Sequence, residues 1–71
     1  MKVKYTHIHF ADCSTSEEVV YVCRNNKTGD ILGFVEYDNP WRRFRFRPNG
    51  HPDLDNGCLN DIVHFMGQLK K

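Results

Sequence analysis

The residues of this chain best equipped for chemistry are four arginines crowded into six positions, Arg42, Arg43, Arg45 and Arg47, directly after Trp41. A guanidinium binds carboxylates or phosphates in a bidentate way and stacks on aromatic rings. Strand alternation with Phe44 and Phe46 sends Arg43, Arg45 and Arg47 to one face, spaced about 7 Å apart. That spacing suits successive phosphates of a nucleic acid or a row of carboxylates on an acidic protein. Tyr37 and Trp41 flank the turn Asp38-Asn39-Pro40 and, on regular strands, join the arginine face, which then has the composition of a binding hot spot. Tyr21 and Tyr5 could extend the same patch. The competing interpretation is a solvated face that keeps the sheet from aggregating, partly neutralised by Glu36, with Trp41 folded over the sheet edge.

Other chemistry finds less support. The four histidines and three cysteines contain no Cys-x-x-Cys or His-x-x-x-His pair, so no zinc site is expected. His7 and His9 point the same way along a strand, but on a helix Cys58 and His64 diverge. There is no nucleophile elbow, phosphate loop or recognisable carboxylate pair. His64 and Asp61 share a helical face, where a surface ion pair is the ordinary outcome. No catalytic residue and no cofactor is therefore expected, and function should lie in binding.

At 71 residues the chain has room for a single domain, residues 1–71, with a small core. An apolar fraction of 39% with 13% aromatic residues marks a globular sequence. The odd number of cysteines without close pairing points to a reducing, cytoplasmic setting. No apolar run approaches the ~20 residues of a membrane span. Net charge is only +1, which excludes bulk basicity as a driver of nucleic-acid binding. The charge is instead segregated: every arginine lies from Arg24 to Arg47, whereas Asp12, Glu17 and Glu18 precede them and Asp53, Asp55 and Asp61 follow.

The elements that must position the arginines follow from periodicity. Residues 3–10 alternate and predict a first strand; residues 12–18 read as a surface connection, or one helical turn capped by Ser14 or Ser16. Residues 19–25 and 31–37, rich in β-branched and aromatic types, predict a hairpin whose loop uses Gly29 at positive φ, with Asn26 and Asp30 favouring the turn through their own side-chain hydrogen bonds. Pro40 ends the next turn, and residues 41–47 form a further strand. From residue 57 to 69 the period changes: Cys58, Leu59, Ile62, Val63, Phe65, Met66 and Leu69 fall in an arc of roughly 160°, the mark of an amphipathic helix. Asp55 or Asn56 can cap it, and Asn60, Asp61, His64 and Gln68 form its polar stripe. The expected fold is α+β: a three- to four-stranded antiparallel sheet with one C-terminal helix packed on one face, the other face open. Leu59, Ile62, Met66, Phe44 and Phe46 should be buried together.

Three segments carry a resemblance: Lys27-Thr28-Gly29-Asp30-Ile31-Leu32-Gly33, then Trp41-Arg42 with Phe44, Phe46 and Pro48, then Cys58-Leu59 with Asp61-Ile62 and Phe65-Met66. The pattern, over residues 21–69, resembles a family of short phage and prophage proteins with a glycine-bearing hairpin, a Trp-Arg strand ending in proline, and a Cys-Leu-x-Asp-Ile helix. This chain differs in having Glu36-Tyr37 where a tryptophan-bearing pair is common. The resemblance assigns no activity and no site residue. It implies a context in which small proteins bind a host protein or protein–nucleic-acid complex, often as inhibitors of host defence such as anti-CRISPR proteins. The alternative is a sheet-based DNA-binding module or small transcriptional regulator, as in plant AP2-type domains and integrase arm-binding domains. Oligomeric state is left open.

Overall fold

The computed structural model describes residues 1–70. Four strands, β1 (Ile8–Asp12), β2 (Val20–Asn25), β3 (Ile31–Asp38) and β4 (Arg43–Pro48), form one antiparallel sheet in the order β1-β2-β3-β4, followed by helix α1 (Asn56–Gly67). This is the α+β arrangement expected from the periodicities. Sequential strands joined by short turns are neighbours in space, and the meander leaves α1 to cover one face. That covered face holds the core: Ile8, Val35, Cys23 and Phe65 are fully buried, with Phe10, Ile62 and Tyr5 nearly so. Phe65 stacks on Phe10 with ring centroids 3.9 Å apart and meets Tyr21 edge-on at 5.2 Å.

The β2–β3 hairpin forms as its composition dictates. Gly29 has φ +78° and donates to the carbonyl of Asn25 at 2.8 Å, while the side chain of Asn25, and not that of Asn26 as expected, accepts from the N–H groups of Lys27 and Thr28; Asn26 turns its amide to the carbonyls of Tyr5 and Thr6 instead. Gly33 has a different task, because a Cβ there would run into the Phe46 ring and the carbonyl of Arg47. At the other end Asp55 caps α1 by accepting from the N–H of Cys58 at 2.9 Å.

Two local expectations are corrected and one open choice is resolved. The alternating run 3–10 is not one strand: the chain reverses over residues 5–8, with Tyr5 N–H bonded to Ile8 O and Phe10 N–H to Val3 O, both at 2.8 Å. Asn26 holds this turn from the β2–β3 loop, donating from Nδ2 to the carbonyls of Tyr5 and Thr6 while its own N–H donates to His7 O. The reversal changes parity, so Tyr5 enters the core on the same side as Ile8 and Phe10. Of the two readings of the next segment the surface connection holds and the helical turn does not form: residues 13–18 are exposed, and Ser14 Oγ accepts from Val20 N–H at 3.0 Å. On α1, Leu59 and Val63 are exposed, at 45% and 69%. At about 100° per residue they lie at one margin of the apolar arc, and a narrow sheet covers only the seam of Cys58, Ile62, Phe65, Met66 and Leu69. Phe44 and Phe46 do lie on the helix side, though half-buried.

Candidate interaction face

Register decides which side chains share the open face. The row Val22–Phe34–Arg47 crosses β2, β3 and β4, the next row is Val20–Glu36–Arg45, and the last is Asp38–Arg43. Arg43, Arg45 and Arg47 therefore stand together on the face away from α1, all exposed, as their alternation with Phe44 and Phe46 requires. Val22, only 5% exposed, gives this face a small apolar floor beside half-buried Phe34. Neither residue stood out in the sequence, although β-branched and aromatic types on both faces of a central strand were the available signal.

The arginines are tied down unequally. Arg47 spans to β3, donating from Nε and Nη2 to the two carboxylate oxygens of Glu36 at 3.0 and 3.2 Å, with its Cζ 4.8 Å from the centre of the Phe34 ring. The bidentate bond holds the Glu36 carboxyl below its ordinary range and raises the Arg47 guanidinium above its own. Arg45 reaches Asp38 more loosely, at 3.9 Å. The Cζ of Arg43 lies 4.8 Å from the centre of the Trp41 ring. Arg24, the remaining arginine besides Arg42, donates to Gly29 O at 2.7 Å and serves the hairpin.

Trp41 belongs to the β3–β4 turn and not to β4, which begins at Arg43. Pro40 fixes the turn's entry, and Arg42 leaves it at φ +55°, a left-handed conformation uncommon outside glycine. The indole is left 67% exposed with Arg43 against it, so it does not fold down to cover the sheet. Tyr37 is a correction. It pairs in register with Phe44 and meets that ring edge-on at 5.1 Å, which places it on the helix side of the sheet and off the face of Arg43, Arg45 and Arg47, although it still lines a groove with Arg42 and Arg43. Its parity with Gly33 and Val35 along β3 was the signal that could have placed it. Tyr21 and Tyr5 do not extend the patch either, since both pack into the core side.

The polar stripe of α1 is partly covered. Tyr5 Oη lies 2.8 Å from His64 Nδ1, and Gln68 exchanges two hydrogen bonds with the backbone of Lys2, each 2.8 Å. His9 Nδ1 is 2.7 Å from Asn26 Oδ1. Among the described residues no group of three or more His, Cys, Asp or Glu side chains could hold a metal ion, and no helix is long and apolar enough to cross a membrane. Beside the arginines, Glu17, Glu18, Glu36 and Asp38 line an open cleft with Arg45, so the open face is basic along β4 and acidic towards the start of β2. No family model matches the chain, and comparison with curated proteins and with solved structures yields no match.

Proposed function

We propose that this chain is a non-enzymatic binding protein of the phage accessory type, acting in the host cytoplasm on a host protein or protein–nucleic-acid complex, for instance as an inhibitor of host defence of the anti-CRISPR kind. The observation that carries the reading is the exposed group of Arg43, Arg45 and Arg47 on a sheet face that no other element among the described residues covers, with exposed Trp41 beside them in the β3–β4 turn. An exposed indole beside guanidinium groups supplies large contact area together with directional bonds, the combination found where binding energy concentrates. Glu36 and Asp38 stand among the arginines and weaken the field that a polyphosphate would feel, which favours a protein surface over duplex DNA.

The test is a pull-down from host lysate with and without nuclease, using wild type and the variant Arg43→Glu/Arg45→Glu/Arg47→Glu. Loss of the captured partner by at least about thirtyfold in affinity is expected, since truncating an anchor costs ~2 kcal/mol or more. Capture of the same partner at wild-type affinity by the triple variant would remove the open face as the site. A steep fall of affinity with salt, in proportion to several phosphate contacts, would instead support the DNA-binding alternative.

A further inference from the structure

The far edge of the sheet is β4, which among the described residues pairs with β3 alone. Beyond the Gly33–Pro48 pair, Asn49 donates its N–H to Leu32 O at 2.9 Å. A bond placed one residue outside a pair marks that pair as non-hydrogen-bonded, and the two kinds of pair alternate along an antiparallel ladder. The bonds to β3 therefore belong to Arg43, Arg45 and Arg47. The N–H and C=O groups of Phe44 and Phe46 point the other way, off the edge of the sheet. Pro48, without an N–H, takes the next outward position and limits the edge to that pair of residues.

A strand laid along this edge would alternate in step with β4. Its side chains on the open face would lie beside Arg43, Arg45 and Arg47. Those on the helix face would lie beside Phe44 and Phe46, near a groove whose apolar side chains Tyr37, Phe44, Met66 and Leu69 are flanked by Arg42 and Arg43. Arg42, Arg43, Arg45 and Arg47 carry +4 against −2 from Glu36 and Asp38, so the β4 side of the sheet has a local net charge of +2. Glu36 occupies Nε and one Nη2 position of Arg47, which leaves the Nη1 side of that guanidinium for a second acceptor. A second copy is a poor occupant: two-fold antiparallel pairing of β4 with itself sets arginine opposite arginine, a destabilising arrangement.

We propose that the β4 edge takes an extended segment of a partner protein with acidic residues at alternate positions and apolar residues between them, bound by strand addition. Main-chain bonds to Phe44 and Phe46 supply affinity, and the alternating side chains supply specificity. The proposal rests on the arginine face described above and adds the edge as the mode of engagement.

The test uses two peptides of equal composition, acetyl-Thr-Glu-Val-Glu-Val-Glu-Val-Thr-amide and a permuted form with its three glutamates contiguous. Binding is followed by titration and by exchange of the Phe44 and Phe46 amides in the full-length protein. The alternating peptide should bind at least about tenfold more tightly, a difference of ~1.4 kcal/mol, and should protect both amides. Chemically assembled protein, N-methylated at Phe44 and Phe46, keeps every side chain and the β3 ladder. It should lose that tenfold preference while its circular dichroism spectrum is unchanged. Equal binding of the two peptides, or indifference to N-methylation, would overturn strand addition yet leave the arginine face standing if the triple glutamate variant still loses both peptides. Failure of both peptides to bind the wild-type protein at millimolar concentration would also overturn it.

Discussion

Cys23 and Cys13 show how one residue type is given two chemistries by position. Cys23 is fully buried on the helix side of β2, and loss of hydration, with Cys58 nearby, pushes its thiol up to about 12. Burial and the Asp55 carboxylate raise Cys58 as well, while Cys13 is exposed in the β1–β2 connection. Only the thiolate is nucleophilic. Titration with a disulfide reagent at pH 8 should therefore find one fast thiol, Cys13, a slower Cys58, and a Cys23 that reacts only on unfolding; fast modification of Cys23 in the folded protein would contradict its burial. The carboxylates carry a second expectation. Asp12, Glu36 and Asp55 are held below their ordinary range, by Ser14, by Arg47 and by the N–H of Cys58 respectively. A depressed carboxylate contributes stability that is fully present above its unfolded pKa, near 4, and lost as pH falls through the folded value. The melting temperature should hold from pH 7 to about pH 5 and decline below about pH 4.

At the scale of elements, α1 depends on its cap and its seam. Asparagine is as good an N-cap as aspartate but does not titrate, so Asp55→Asn should retain the helix and lose only the favourable charge at its N-terminus. Its deficit in melting temperature relative to wild type should be present at pH 7 and shrink as falling pH protonates the Asp55 carboxylate; a deficit independent of pH would mean that the Asp55 charge contributes nothing. Along the seam, Ile62 is 4% exposed and Val63 69%. Urea unfolding should find Ile62→Ala destabilised by about 2–4 kcal/mol and Val63→Ala by under about 0.5 kcal/mol. Equal losses would show that the helix is rotated on the sheet from the orientation described.

Over the whole molecule, the division of labour between the two faces of the sheet is the main consequence of the fold. The helix side carries the apolar cluster, and the open side carries Arg43, Arg45 and Arg47 with no buried polar side chain anywhere among the described residues. Reversing the charge of the open face should then leave the core intact. The variant with glutamate at all three positions should keep the wild-type circular dichroism spectrum and a cooperative melt, lowered by the lost pairing with Glu36 and Asp38 and by the like-charge contacts the new glutamates make with them. Loss of the cooperative melt would show that the face is structural before it is functional.

What the sequence determined by itself was everything written in contiguous residues. The hairpin follows from Gly29 between two β-branched runs, the helix from its 3.6-residue period, and the common face of three arginines from strict alternation with Phe44 and Phe46, whereas the choice of Asn25 over Asn26 in the turn and of Asp55 over Asn56 at the cap was not legible there. Tertiary structure decided what depends on residues far apart in the chain. Asn26 reaches back to fold residues 5–8 into a turn that alternation alone reads as strand. Pairing with Phe44 puts Tyr37 on the helix side, and the limited width of the sheet strands Leu59 and Val63 in solvent. Cross-strand neighbours Glu36 and Asp38 set how much of the arginine charge faces outward. Local propensity and period are properties of a segment, whereas register and coverage are properties of its neighbours, and no single segment records them.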